Sequence, residues 1–390
     1  MRRRLLKSVV AYMVGGLLAS TSFLSHAQDT IKIGVVAPMS GTFSPYGMGF
    51  YHSMQAYAAN HGDTVAGKKV QIILRDNSAN SPDMAKRLAQ ELITREHVDF
   101  LAGFALSSDA FAVATLATQA KKPTIIMLAA ALGLTEKSPY LARVSYSNYQ
   151  ASSTMAKWAY KNGLRKVYTV VSDYAPGADS ENGFRNSFEE LGGTIVGKVR
   201  IPLNNNNYAP YVQHLKDSKA DGAFVFLPSG EPMVAFMKDY TERGLPEAGM
   251  KLMTSTDLAE EYIKPLGDTA VHLTNSIQYY DTLDNAENRK YIEAYSKIAG
   301  RLPGAIALGG YDAMALIYAV ANKLDGKVSD GEKVMEAMKG ITIESPRGRL
   351  TIDPKTRDAV ANMYIAGVEK TADRMKPVVI DTFENVTDVQ

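Results

Sequence analysis

From Ile31 onward the chain alternates two hydrophobic rhythms. One consists of short runs that are apolar at nearly every position, at 31–37, 69–75, 98–104 and 124–128. The other has apolar residues every third or fourth position, at 47–60, at 82–96 behind Ser81-Pro82, and at 109–120. Gly, Pro, Asn and Asp punctuate the joins. Runs without polar alternation suit parallel strands covered on both faces, so this half predicts an α/β sheet flanked by helices. After Tyr149 the alternation restarts. Helices are expected at 150–162, 179–191, 208–218 and 231–243, interleaved with strands at 166–172, 194–200, 222–227 and 250–255. Two such series exceed what one sheet usually carries, which predicts two lobes. The remaining chain adds a strand at 271–277, helices near 285–299, 305–323 and 331–339, and strands at 349–352, 361–369 and 377–381.

The start of the chain breaks this pattern. Residues 1–27 open with basic Arg2, Arg3, Arg4 and Lys7, continue through a short apolar stretch, and end with Ser25 and Ala27 before Gln28. That is the layout of a secretory signal peptide, and the predicted location is the periplasm. The 390 residues carry 43 Lys and Arg against 41 Asp and Glu. Four of those cations lie in the acid-free leader, so the remainder is slightly acidic and nucleic-acid binding is not expected. The absence of cysteine excludes disulfides, thiolate metal sites and thiol nucleophiles. The six histidines lack the spacing of a metal site, and neither a Gly-x-Ser-x-Gly elbow nor a zincin helix is present. Residues 62–68 fit most of a phosphate-binding loop, but Lys69 replaces the magnesium-binding hydroxyl and a strand follows. The expectation is a protein that is not an enzyme and has no cofactor.

Several segments resemble the type I periplasmic solute-binding proteins of ABC transporters, in the branched-chain amino acid (Leu/Ile/Val-binding) group. They include Ala37-Pro38-Met39-Ser40-Gly41, Leu101-Ala102-Gly103-Phe104 running into Ser107-Ser108, and Leu134 to Tyr140 followed by Arg143. Ser172 to Gly177, Gly309-Gly310-Tyr311-Asp312 and Ser345-Pro346-Arg347-Gly348 continue the likeness in order. The Ser-Pro-Tyr, Asp-Tyr-x-Pro-Gly and Pro-Arg-Gly elements are most similar to a branch associated with benzoate-like aromatic acids. The resemblance implies two Rossmann-like lobes joined by a three-strand hinge around a ligand cleft. Lobe 1 would comprise 28–147 with 278–355, and lobe 2 would comprise 148–277 with 356–390. Crossings are expected near 145–149, 275–280 and 353–360. It also implies a monomer that captures a small-molecule carboxylate and docks on an inner-membrane permease. A branched-chain amino acid or amide binder, and a ligand-sensing receptor domain, remain alternatives.

The candidate ligand contacts follow from strand ends, where open α/β sheets bind ligands. Strand 98–104 delivers Ser107 and Ser108 to a helix start, which offers N–H groups and partial positive charge to a carboxylate. Capping is the competing role for these serines. Strand 124–128 ends in Ala129, Ala130 and Ala131, where the resemblance implies a Thr hydroxyl in amino acid binders; its absence favours a ligand without an α-amino group. Tyr46 and Tyr174 sit on loops after the first strand of each lobe and could flank a ring. Asp257 stands where amino acid binders pair an acid with ligand ammonium, with helix capping as its alternative, and Asp109 could also hold an ammonium. Ser229 shares the strand-end logic. Tyr279, beside Tyr280 at the expected second crossing, would shape the cleft floor or wedge the lobes.

Overall fold

A computed structural model describes residues 30–78 and 81–388. The expected signal peptide at 1–27 lies outside the described residues. The first series folds as strand β1 (Thr30–Ala37), helix α1 (Ser44–His61), β2 (Thr64–Val65), β3 (Lys68–Asp76), α2 (Pro82–Thr94) and β4 (Phe100–Gly103). Helix α3 (Ser107–Gln119), β5 (Thr124–Ile126) and β6 (Leu141–Arg143) complete it. These strands form a six-stranded sheet ordered β2-β3-β1-β4-β5-β6, parallel except at β2. Ile31, Ile33, Val35 and Val36 of β1 and Phe100 and Leu101 of β4 are all buried, as runs apolar on both faces require.

The second series comprises α4 (Asn148–Lys161), β7 (Lys166–Ser172), α5 (Ala175–Glu190), β8 (Thr194–Ile201), α6 (Ala209–Asp217) and β9 (Gly222–Phe226). It continues through α7 (Glu231–Glu242), β10 (Lys251–Thr254), the short α8 (Glu260–Ile263) with a 3-10 segment at Lys264–His272, and β11 (Leu273–Ile277). Helices α9 (Ala286–Ala299), α10 (Leu308–Lys323) and α11 (Gly331–Met338) follow. The chain closes with β12 (Thr342–Ser345), β13 (Gly348–Ile352), β14 (Ala359–Lys370) and β15 (Met375–Val386). The second sheet has nine strands, ordered β12-β13-β14-β11-β10-β9-β7-β8 with β15 on β14. It is parallel from β11 to β8 and antiparallel beyond.

The mixed α/β fold with two sheets is the one anticipated. Residues 342–352 form a hairpin whose β13 pairs Leu350, Thr351 and Ile352 with β14 of the larger sheet. Its other side packs on α10. A strand's partners are set by tertiary register, which the hydrophobic pattern of four or five residues does not encode. The Arg143 N–H, at the end of β6, donates to the Arg357 carbonyl at 3.0 Å, joining the smaller sheet to the segment ahead of β14.

Each sheet contains a switch point where the strand order reverses. From β1 the chain moves to β3 on one side and then to β4 on the other; from β7 it moves to β8 and then to β9. The crevices at these two switch points, beyond the carboxyl ends of the strands, are where an open α/β sheet takes a ligand.

Candidate functional site

A cavity of about 520 Å3 lies between the lobes. The first switch point contributes Tyr46, from the loop and helix after β1, and Ala105 to Ser108, after β4. The second contributes Tyr174 to Pro176, after β7, and Phe226 to Ser229, after β9. The turns behind these residues are tight. A Cβ on Gly103, whose φ is +109°, would stand 2.2 Å from the Val36 carbonyl oxygen. Phe104 follows with φ +61°, an uncommon conformation for a bulky residue, held by its N–H donating to Val36 at 2.9 Å. On the other side a Cβ on Gly177 would stand 2.0 Å from the Ser172 carbonyl oxygen. The end of β4 therefore lies close against β1, and α5 starts close against the strand that feeds it.

Of the residues anticipated from sequence, Tyr46, Ser107, Ser108, Ala130, Ala131, Tyr174, Ser229 and Asp257 line this cavity. Ala129 and Tyr279 do not. Ala129 is buried behind the lining, and its carbonyl accepts from Arg143 at 3.3 Å. Tyr279 is fully buried and donates to Asn288 Oδ1 at 2.8 Å, while Tyr280 donates to the Asn275 carbonyl at 2.9 Å. Both rings are buried in the core, outside the cavity lining. Asp109 also faces away, accepting from Asn77 Nδ2 at 2.6 Å.

Phe43, Tyr146, Asn148, Phe226, Ser255, Thr256 and Ile306 line the cavity and were missed. Ser255 and Thr256 follow β10 and obey the same strand-end rule that picked out Ser229. Tyr146 and Asn148 stand on the first crossing, next to the capping box made by Ser147 and Gln150. Ile306, distant in sequence, had no local signal.

The serines do not cap α3: the N-cap is Leu106, and no side chain accepts a capping hydrogen bond there. Instead Ser107 Oγ accepts the Ala131 N–H at 3.1 Å, tying the alanine loop to the helix start. That loop is fixed from behind by Arg143, fully buried, which donates to the Ala131 carbonyl at 2.8 Å and pairs with Asp358 and Asp388 at 2.8 and 2.7 Å. With one lone pair of Ser107 occupied, its hydroxyl proton is available to an acceptor in the cavity.

Asp257 is the single charged residue among the described residues lining the cavity. Its Oδ1 accepts the N–H groups of Ala259 at 3.0 Å and Ala305 at 3.3 Å, and its Oδ2 accepts that of Ile306 at 3.2 Å. Two of these donors lead into α10, so the carboxylate pins the end of β10 to a segment packed against the first sheet. Burial pushes its pKa up despite those three donors. Burial also pushes Tyr46 up to about 12, with the Asp257 charge adding to it, and raises Tyr146 and Tyr174, so all three are neutral phenols at physiological pH. Tyr174 stacks on Phe226 with ring centroids 6.4 Å apart.

The arrangement is an aromatic cleft without Lys, Arg or His among its described lining residues, and with a helix start as its electropositive feature. A family model described as periplasmic binding protein matches residues 30–373. The chain is a periplasmic binding protein. A Leu/Ile/Val-binding protein homolog 6 of Brucella melitensis is 39% identical to it over 370 residues, 94% of this chain and 93% of the other. Among solved structures, this binding protein resembles the ABC-transporter solute-binding protein of Rhodopseudomonas palustris BisB5 in complex with 3,4-dihydroxybenzoic acid. That pair has TM-score 0.85 and 42% identity, covering 92% of this chain and 99% of the other. It also resembles a solute-binding protein from R. palustris in complex with 4-hydroxybenzoate, with TM-score 0.85 and 37% identity over 92% and 98% of the two chains. The binding protein thus belongs to a family of periplasmic binding proteins, and both of these similar structures are solute-binding proteins of ABC transporters.

Proposed function

We propose that this protein captures a small aromatic carboxylate in the periplasm and, as a monomer, presents it to an inner-membrane permease. The observation that carries this reading is the division of labour in the cleft. The helix start with Ser107 and Ser108 favours an anion, Tyr46, Tyr146, Tyr174 and Phe226 suit a ring, and Asp257 is already occupied by three N–H groups. An α-amino acid would need an acid free to meet its ammonium. The aromatic acids bound by two of the similar solute-binding proteins support the same reading. Closure follows from the ligand touching both lobes, because a ligand favours a state only by binding it better than the alternative.

The second reading, a branched-chain amino acid, is favoured by the naming of the Brucella relative and by the presence of Asp257 in the lining. Calorimetric titration of ligand-free protein with benzoate, 4-hydroxybenzoate and leucine decides between them. Binding of leucine alone would transfer the protein to the second reading.

A further inference from the structure

Beside the cavity the two lobes also touch each other directly. Residues 300–307 join α9 to α10, and both helices pack on α1 of the first lobe. The segment is seated firmly on that side: just beyond it, a Cβ on Gly309 would stand 2.0 Å from the Met127 carbonyl oxygen, and one on Gly310 would stand 2.2 Å from that of Phe50. Facing it are residues 255–259 and α8, which lie between β10 and β11 of the second sheet. Asp257 accepts the N–H groups of Ala305 and Ile306 at 3.3 and 3.2 Å, and Arg301 forms an ion pair with Glu261 of α8. Gly304 comes closer still. A Cβ on it would stand 2.6 Å from the Ala259 Cβ and 2.7 Å from Asp257 Oδ2. A void of about 10 Å3 is what remains between the two surfaces.

The φ of Gly304 is negative, so no left-handed turn calls for glycine there. The atoms that a Cβ would meet first all belong to the second lobe. Glycine at this position is therefore matched to the closed arrangement: with the lobes apart, the same Cβ would have room. Gly304, Arg301 and Glu261 stand outside the cavity lining, so they act on closure and not on the ligand. We propose that Gly304 and the Arg301–Glu261 pair form a latch that holds the lobes closed through protein contacts alone, setting the affinity for every ligand by the same factor. This rests on the closure described above and not on which acid the cleft takes. Contacts made in the closed state and lost in the open one raise the closed population with or without ligand, and a ligand binds more weakly in proportion as its competent state is depopulated.

The test compares the wild type with Gly304→Ala and Glu261→Gln. Each is titrated calorimetrically with 4-hydroxybenzoate, benzoate and leucine, and the ligand-free proteins are measured by small-angle X-ray scattering. Gly304→Ala, which wedges the closed interface, should weaken each acid that binds by one common factor of roughly tenfold to a hundredfold. Its ligand-free radius of gyration should exceed that of the wild type. Glu261→Gln, an exposed change that repeats the test if the wedge prevents folding, should shift both readouts the same way, with a common loss of about twofold to fivefold. A local packing defect would lower Tm and leave the radius of gyration alone. An unchanged ligand-free radius in folded Gly304→Ala, or losses that differ from one acid to another, overturns the latch and leaves the choice of ligand untouched. If none of the three acids binds, the readings of the cleft fail, and scattering still decides the latch.

Discussion

Replacing Asp257 with Ala separates two roles for the single charged residue in the cleft lining. In the structure its carboxylate accepts three backbone N–H groups, two of them from Ala305 and Ile306 ahead of α10. Hydrogen bonds to a charged acceptor contribute about 1.5–3 kcal/mol each, so the gross loss is several kcal/mol. Against this, burial raises the pKa of the group, which means that the charged form is held at a cost that the Ala variant no longer carries. The net expectation is a destabilisation of about 2–3 kcal/mol, or a fall in Tm of roughly 3–4 °C for a chain of this size. Asp257→Asn keeps one oxygen acceptor and should fall about half as far. Thermal unfolding of the ligand-free variants by circular dichroism measures this, and titration with leucine and 4-hydroxybenzoate completes it. The preference for the aromatic acid should persist. An unchanged Tm together with loss of leucine binding would refute the anchoring role and show that Asp257 meets an ammonium.

Three further outcomes are expected. Ser107→Ala with Ser108→Ala should weaken an aromatic carboxylate by several kcal/mol at most, at about 1.5–3 kcal/mol per charge-assisted bond, with a modest fall in Tm from the lost bonds to the Ala131 N–H and to Asp109; unchanged affinity by calorimetry would displace the carboxylate from the start of α3. Arg143→Ala should destabilise by about 3–5 kcal/mol in denaturant unfolding, because Asp358 and Asp388 would be left buried without their cation and the Ala129 and Ala131 carbonyls would lose their donor. Stability should rise as pH falls from neutral toward 5. Burial raises Asp109, Asp179, Asp257, Asp281, Asp312 and Asp388, so the folded state binds more protons than the unfolded one above about pH 3.9, and that stabilisation is lost as pH rises through the folded values. The carboxyls shifted down, Asp76, Glu293 and Asp330, are on the surface, and His52, shifted down by burial and Arg301, opposes the trend below about pH 6.5. A Tm that drops steadily from pH 7 to 5 would contradict this balance.

The sequence by itself determined the alternation of strands and helices, because strands covered on both faces must be apolar throughout and the helices around them must be amphipathic. It also located Tyr46, Ser107, Ser108, Tyr174 and Ser229, since all stand just beyond strand ends and strand ends are visible in the pattern. Only the tertiary structure decided what those positions face. Asp257 looks equally like an ammonium partner or a cap until the N–H groups of Ala305 and Ile306, some fifty residues away, are found against it. Tyr279 carries the same local signature as Tyr174, but its hydroxyl is taken by Asn288 and its ring is buried outside the cavity lining. The hairpin of β12 and β13 joins the larger sheet through register with β14. Local periodicity reports which face of an element is buried; which residue from a distant element meets it depends on how the two lobes pack, and that information is not carried by neighbouring residues.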